Sequence, residues 1–205
     1  MRVLKFVMLG LMAMTLAGCG INNIPSYDQA MKGKWGQVQN EYQRRADLVP
    51  NLVETVKGYA AQEKDVLTAV TEARSRATSI QLTPEIVNNP EEFAKYQAAQ
   101  GQLSQALGKL LSITENYPDL KSNQNFLALQ SQLEGTENRV TVARKDYIDA
   151  AQTYNTELVT FPGRLWAATM YAGYKPAATF AAEAGADQAP KVNFGKDKPK
   201  TGTGG

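Results

Sequence analysis

The most constraining feature of this 205-residue chain is an apolar series that recurs every three or four positions from Met31 to Ala73. Residues at that spacing fall on one face of an α-helix, because a helical turn contains about 3.6 residues. Only Arg45 and Glu63 interrupt the series with charge. A seam kept for about six heptads is typical of a long helix that packs along its whole length against other helices.

This first seam predicts one long helix over about residues 27–76. Pro50 lies inside it, and a proline removes one backbone hydrogen bond and crowds the preceding helical turn. We therefore expect a kink near Asp47 to Pro50, with the helix continuing beyond it.

Two further seams predict a second and a third long helix. Asn89 followed by proline indicates a helix start, because asparagine accepts hydrogen bonds from free amides and proline suits the first helical position. The second seam then runs over residues 93–117. Asn123 or Ser122 is expected to cap the third helix, whose seam runs over residues 126–161.

The end of the third seam is marked by Phe161-Pro162-Gly163, and a short apolar helix is expected from Arg164 to about Tyr171. The connectors between the long helices are short and polar, which favours neighbours that run in opposite directions. The predicted fold class is therefore all-α: an antiparallel bundle of three long helices, the first kinked at Pro50, plus a short C-terminal helix. The aromatic residues over 166–174, with Phe180, either cap one bundle end or form a patch that contacts lipid or protein.

The N-terminus has the organisation of an exported lipoprotein. Positions 1–18 contain no acidic residue, and their apolar run over residues 6–13 is too short for a bilayer, which needs roughly 20 residues. The run leads into Leu16-Ala17-Gly18-Cys19, which resembles the lipobox of bacterial lipoproteins. That resemblance implies cleavage before Cys19 and acylation of its thiol and its new amino group. The alternative is an ordinary secretory signal with an unrelated cysteine.

Composition excludes several classes of function. Removal of residues 1–18 takes away two of the 22 basic residues and none of the 20 acidic ones, so the mature chain has no formal net charge. That balance argues against nucleic-acid binding. The chain has no histidine, and Cys19 is its only cysteine. The commonest general base, the commonest metal ligand and a free thiol nucleophile are therefore missing, and we expect no enzyme activity, no metal and no cofactor.

We divide the chain into a lipoprotein signal peptide (1–18), a lipidated linker (19–25), a helical bundle (26–183) and a tail (184–205). The tail is rich in Gly, Lys, Asp and Pro, and such a segment buries too little apolar area to fold. It is expected to be disordered, either as a solvated end or with its lysines against anionic lipid or polymer.

Four charged side chains on the seams are the candidate site residues: Arg45, Glu63, Glu137 and Arg144. A charge on an interior face costs free energy unless it is paired. These residues are therefore expected to form ion pairs between helices that fix the register. The alternatives are a ligand or partner site inside the bundle, and simple exposure to solvent.

Four blocks of sequence, in order along the chain, resemble the LemA family. They are Arg44 to Tyr59; Tyr117 to Lys121 running into Asn125-Phe126; Leu133 with Thr136-Glu137-Asn138, Ala143-Arg144 and Tyr147; and Tyr154-Asn155 with Phe161-Pro162. The resemblance covers about residues 27–180 and implies a bundle of long antiparallel helices on the outer face of a membrane. Many members of the family use an N-terminal transmembrane helix, whereas this chain is expected to use lipid on Cys19.

The expected function is that of a non-catalytic scaffold or protein-interaction module, anchored in the cell envelope by Cys19. Its partners would be envelope proteins or further copies of itself. In a Gram-negative host the lipid would place it on the outer membrane, facing the periplasm. The alternative is a carrier or sensor that binds a small ligand between the helices.

Overall fold

The computed structural model describes residues 20–81 and 83–181, and every regular element in that part of the chain is helical, which confirms the all-α class. Cys19, the predicted site of lipid attachment, and the tail over 184–205 lie outside the described residues. The α-helices are α1 (Asn23–Lys57), α2 (Lys64–Ser79), α3 (Pro90–Thr114), α4 (Pro118–Lys121), α5 (Gln124–Val159) and α6 (Gly163–Thr169), and a 3₁₀ helix (Pro84–Asn88) precedes α3. None of the described helices combines the length and the apolar character that a membrane crossing requires.

The prediction of a single first helix over residues 27–76 is wrong. α1 passes through Pro50 and ends at Lys57, and α2 begins only at Lys64. The Nε of Arg74 in α2 donates to the carbonyl of Ala46 in α1 at 2.8 Å, so α2 folds back along α1. The described part of the chain therefore has four helices of 16 residues or more, not three.

The two longest helices, α1 and α5, lie side by side and run in opposite directions. Their mutual contacts move toward the start of α5 as α1 proceeds. The pairs are Asn23 with Glu157 (3.2 Å), Lys34 with Asp146 (2.9 Å) and Glu41 with Arg139 (3.0 Å). α2 and α3 are also antiparallel, because Arg76 near the end of α2 bonds to Gln102 in the middle of α3, while Glu63 just before α2 bonds to Tyr117 beyond the end of α3.

The buried side chains form two cores that follow one another along the α1–α5 pair. The aromatic core contains Trp35, Phe93, Tyr147 and Phe180, whose rings lie 4.9 to 6.2 Å apart between neighbouring centroids. The aliphatic core is built mainly by α1, α2 and α3, with Leu52, Val70, Leu103 and others. The side chain of Arg45, only 1% exposed, lies between residues of α1 that belong to the two cores.

The predicted cap of α3 is confirmed, since the side chain of Asn89 accepts from the amides of Glu91 and Glu92. Asn123 caps α5 in the same way by accepting from the amide of Phe126. These two caps fix where α3 and α5 begin, and so set the level of the bundle at which each presents its polar side chains.

After α6 the chain returns across the bundle as a segment without regular structure, residues 174–181, which we call the strap. Asn155 of α5 binds the backbone of Ala177 twice, through its Nδ2 (2.9 Å) and its Oδ1 (2.7 Å). The amide of Ala178 donates to the carbonyl of Val87 at 2.7 Å, and the hydroxyl of Tyr147 donates to the carbonyl of Ala178 at 2.6 Å. These bonds hold Phe180 in the aromatic core.

Candidate functional site

A groove of about 660 Å³ opens between α3 and α5, at the level of Arg45. α3 lines it with one continuous helical face, because the contributing positions are three or four residues apart. That face combines small side chains with glutamines, namely Ala94, Gln97, Ala98, Gly101, Gln102 and Gln105. α5 lines the other wall with Glu137, Val140, Thr141 and Arg144. We call this feature the central groove.

The floor of the central groove is a hydrogen-bond network around the guanidinium of Arg45. Its Nη1 donates to Ser104 Oγ at 2.7 Å and to Glu137 Oε1 at 2.8 Å. Its Nη2 donates to Gln100 twice, to the side-chain Oε1 at 2.6 Å and to the backbone carbonyl at 3.2 Å. One side chain of α1 therefore holds α3 and α5 at a fixed separation, and charge-assisted hydrogen bonds of this kind are among the strongest in proteins.

Aromatic rings complete the surroundings of the two arginines of the groove. The Cζ of Arg45 lies 5.0 Å from the centroid of the Tyr42 ring, and the Cζ of Arg144 lies 4.4 Å from that of Phe180. Burial raises the pKa of the Tyr42 hydroxyl, and the positive charges of Arg144 and Arg45 oppose that shift. With Glu137, the charged lining comprises two cations and one anion, so it carries one net positive charge.

At one end of the central groove, Gln97 contacts the chain's own backbone at Ala181, the last residue of the strap. The Nε2 of Gln97 donates to the carbonyl of Ala181 at 2.8 Å, and its Oε1 accepts from the amide of the same residue at 3.3 Å. A side-chain amide that bonds to both the backbone N–H and the backbone C=O of one residue recognises the backbone and not the side chain. The same α3 face continues past this contact to Gln105.

The structure brings together three of the four predicted site residues and separates the fourth. Arg45, Glu137 and Arg144 all line the central groove, and Arg45 with Glu137 forms an ion pair between α1 and α5. Arg144 instead covers the ring of Phe180. Glu63 lies in the turn between α1 and α2, where it accepts from the hydroxyl of Tyr117 at 2.6 Å. That hydrogen bond raises the pKa of the Tyr117 hydroxyl.

Sequence reasoning missed Ser104, which supplies one of the Arg45 contacts. The signal was present but weak, since Ser104 follows the seam residue Gln100 by one helical turn. It also missed the two-fold contact of Gln97 with Ala181. Glutamine on a helix surface is so common that its position alone predicts no binding role.

The amino-acid sequence is similar to a known protein family and to several curated proteins. A family model described as the LemA family matches residues 34–194, which include every residue that lines the central groove. The Magnetosome protein MamQ 1 of Paramagnetospirillum magneticum is 25% identical over 157 residues, covering 69% of this chain and 58% of that protein. Magnetosome protein MamQ of Magnetospirillum gryphiswaldense is 25% identical over 136 residues, covering 58% of this chain and 50% of that protein.

A third relative is Protein LemA of Metamycoplasma hominis, which is 26% identical over 121 residues, covering 59% of this chain and 51% of that protein. The chain thus spans about half the length of the curated relatives it matches, between 50% and 58% in these three.

Proposed function

We propose that this chain, which belongs to the LemA family, is a membrane-associated, non-catalytic scaffold of the cell envelope that holds an extended segment of a partner protein in its central groove. The observation that carries the proposal is the contact of Gln97 with both backbone groups of Ala181. It supplies an example, within the chain itself, of the kind of ligand that this groove accepts.

Beyond Ala181 the groove has room for a further extended segment of polypeptide along the α3 face. From Gln97 to Gln105 the α3 face rises about 12 Å, at about 1.5 Å per residue, which an extended segment covers in roughly four residues. Ala98 and Gly101 lie on that face and let a backbone approach closely. Gln105 is exposed and offers a second side-chain amide to it.

The charges of the groove indicate which partner segments would bind best. Glu137 already balances Arg45, to which it is joined at 2.8 Å, so Arg144 supplies the remaining positive charge of the lining. We therefore propose a partner segment with an acidic side chain at the level of Arg144. Electrostatic matching of this kind contributes mainly to specificity and to the rate of association.

The anchoring part of the proposal rests on the N-terminal motif. Leu16-Ala17-Gly18-Cys19 supports acylation of Cys19, and more than one acyl chain on the same residue gives stable membrane attachment. In a Gram-negative host the proposed location is the outer membrane, with the helices in the periplasm. A bundle of antiparallel long helices held there would offer the central groove to other envelope proteins.

The experiment that tests this function is site-specific photo-crosslinking in intact cells. A photoreactive amino acid at Gln105 or at Thr141, which are both exposed and line the groove, is expected to crosslink one defined segment of an envelope protein. The same amino acid at Lys145, which is exposed and outside the groove, is the matched control. Crosslinks of equal yield at Lys145, or none at the two groove positions, would contradict the proposal.

A small-ligand carrier or sensor is the second candidate, favoured by the almost fully buried guanidinium at the floor of the groove. Such a group binds a carboxylate or phosphate strongly if its present partners yield. A ligand of this class would raise the melting temperature of the protein, and Arg144→Gln would reduce the shift. The absence of any shift with a panel of small anions would count against this candidate and leave the scaffold proposal unaffected.

A further inference from the structure

The exposed apolar side chains of the described residues are concentrated at one end of the bundle. Seven large apolar side chains are exposed in the described part of the chain, and four of them fall within the corner between α5 and α6, where the exposed fraction reaches 86%. These four are Val159, Phe161, Leu165 and Met170, and we call them the corner residues. Single exposed apolar residues are common, but a group of this size on one corner marks a contact surface.

The exposed apolar surface at this end is formed by the corner residues and not by the aromatic residues that the sequence predicts there. Trp166, Tyr171 and Tyr174 are partly buried against the aromatic core, and Phe180 belongs to it. This packing agrees with the predicted capping role for Trp166, Tyr171 and Tyr174, whereas Phe180 lies inside the aromatic core against Trp35. The outward surface is made instead by the corner residues, because α5 ends at Val159 and the chain turns before α6.

The corner lies where the chain enters the described structure. A Cβ built on Gly20 would be 3.5 Å from Cγ of Pro162, so the backbone of Gly20 lies against the corner. Asn23 donates to Glu157 at 3.2 Å and holds the start of α1 beside the end of α5. Cys19 precedes Gly20 by one peptide bond, which spans about 3.8 Å between Cα atoms.

The charges near the corner also suit a lipid surface. The sequence between Glu157 and Glu183 contains Arg164 and Lys175 and no acidic residue. The carboxylate of Glu157 lies at the corner itself, where it accepts from Asn23. Both basic residues are exposed. Acidic groups would be repelled by the anionic headgroups of a bacterial membrane, and basic groups are attracted to them.

We propose that the corner residues insert into the same membrane leaflet that holds the lipid on Cys19, and that this second contact fixes the orientation of the bundle. The inference rests on the proposed lipid anchor and adds a protein surface to it. A lipid chain joined through a flexible linker would leave the domain free to tumble. Here Gly20, the residue after Cys19, lies against the apolar corner, so insertion of the corner would restrict that motion. The α1–α5 pair then extends away from the membrane.

The orientation follows from the lengths of the helices. Leu127, near the start of α5, is 32 positions before Val159, and a helix covers that separation in about 48 Å. Leu127 and Val142 are also exposed apolar residues of α5, so they provide matched controls at increasing distance from the corner.

The test uses the purified full-length lipoprotein in vesicles of phosphatidylethanolamine and phosphatidylglycerol. In acylated protein the thiol of Cys19 is blocked, so Phe161→Cys, Leu165→Cys, Val142→Cys or Leu127→Cys each introduces a single reactive thiol for an environment-sensitive fluorophore. We expect blue-shifted emission, and several-fold stronger quenching by lipids with a spin-labelled acyl chain, at positions 161 and 165 only. Adding Phe161→Asp to the Leu165→Cys protein should remove both effects.

Three other outcomes would overturn the inference. Labels at 161 and 165 that stay in water, on protein that is bound to vesicles, would refute the corner contact and leave the anchor intact. Equal quenching at positions 127 and 142 would mean that the bundle lies flat. Failure of the purified protein to associate with vesicles at all would refute the anchor, and the corner contact with it.

Discussion

Arg45 and Glu137 form a 2.8 Å ion pair between α1 and α5 in which the arginine side chain is 1% exposed and the glutamate side chain is 41% exposed. Removing Arg45 and removing Glu137 should therefore have different effects on stability, because the remaining partner is exposed in one case and buried in the other. Glu137 can return to water from its present position. Arg45 cannot do so without a rearrangement of the bundle, and an unpaired buried charge is costly.

The first prediction is that the loss of the more exposed partner destabilises the protein more. Glu137→Ala strands a buried guanidinium and should lower the free energy of unfolding by about 3 kcal/mol. Arg45→Met removes the charge and fills much of the space, so it should cost only about 1–2 kcal/mol. Urea unfolding measures both.

The control for this comparison is Lys145→Ala, which removes an ion pair whose side chains are 74% and 59% exposed. Exposed pairs contribute about 0–1 kcal/mol, so this variant should unfold almost like the native protein. A larger loss for Arg45→Met than for Glu137→Ala would show that the network, not the buried charge, dominates.

The second prediction concerns the close approach of backbone at Gly163. A Cβ at this position would overlap the carbonyl oxygen of Glu157, and it would lie 2.7 Å from the carboxylate of the same residue. Gly163→Ala should therefore cost about 1–3 kcal/mol by overpacking. Gly108→Ala is the matched control, because nothing lies within 4 Å of its Cβ position on α3. The control should be stabilised by about 0.5–1 kcal/mol, and equal effects of the two changes in thermal unfolding would refute the argument.

The third prediction is that Asn155 holds the strap. Asn155→Ala removes both hydrogen bonds to Ala177, and the amide of Ala178, which is bonded to Val87, should then exchange its hydrogen faster. Hydrogen exchange with mass spectrometry over residues 174–181 measures this. Asn138→Ala, at an exposed position of α5, should leave the exchange unchanged. Native protection in the Asn155 variant would mean that Phe180 packing alone secures the strap.

How far the sequence predicts this fold can be judged from its seams. Every seam position from Met31 to Val56 is buried in α1, because a 3.6-residue period reports directly on which helical face is covered. The seam does not reveal the turn over residues 58–63, because the same three-and-four spacing continues across it to Val66. The third seam predicts that Phe161 is buried, but its side chain is 86% exposed, because helical spacing no longer reports on burial once α5 ends at Val159.

The central groove was less predictable than the helices. The seams identify Arg45 and Glu137 as charges on apolar faces, but 92 positions separate them, and periodicity within one helix does not specify contacts between helices. The strap shows no periodicity at all. Its place is set by side chains of α3 and α5, chiefly Gln97 and Asn155, and so depends on the assembled bundle.

The fourth prediction is a loss of stability in alkali. Burial raises the pKa of the hydroxyls of Tyr42, Tyr96, Tyr147 and Tyr154 above the value of about 10 in an unfolded chain. Above that pH the folded protein retains protons that the unfolded chain has lost, so their contribution is complete below about pH 10 and declines as the pH rises. Each tyrosine can add at most about 1.4 kcal/mol per pH unit to the decline.

Urea unfolding from about pH 8 to about pH 11.5, across the tyrosine range, measures this slope. Tyr96→Phe removes one of the four phenol groups. The free energy of unfolding should then fall less steeply with pH, by up to about 1.4 kcal/mol per pH unit, which is the contribution of one proton. A free energy of unfolding with the same pH dependence in both proteins would contradict the assignment.

The fifth prediction addresses the anchor. Cys19→Ala removes the acceptor of the proposed lipid, and the protein should disappear from the washed membrane fraction of cells. Gln105→Ala, which changes the groove and leaves the N-terminal motif intact, should be recovered with membranes as the native protein is. Recovery of the Cys19 variant with membranes at the native level would defeat the anchoring proposal.

With the proposed partner segment in the central groove, the hydrogen-bond network around Arg45 would carry mechanical load from that segment into α1 and α5. A pull between Gly20 and a segment held in the central groove passes through the first 22 residues of α1 and the matching end of α5, a distance of about 33 Å. The aromatic core lies along that path, and the aliphatic core lies beyond it. Tension applied at the groove would therefore pass through the part of the bundle that contains the aromatic core and the strap, and the aliphatic core lies outside that path.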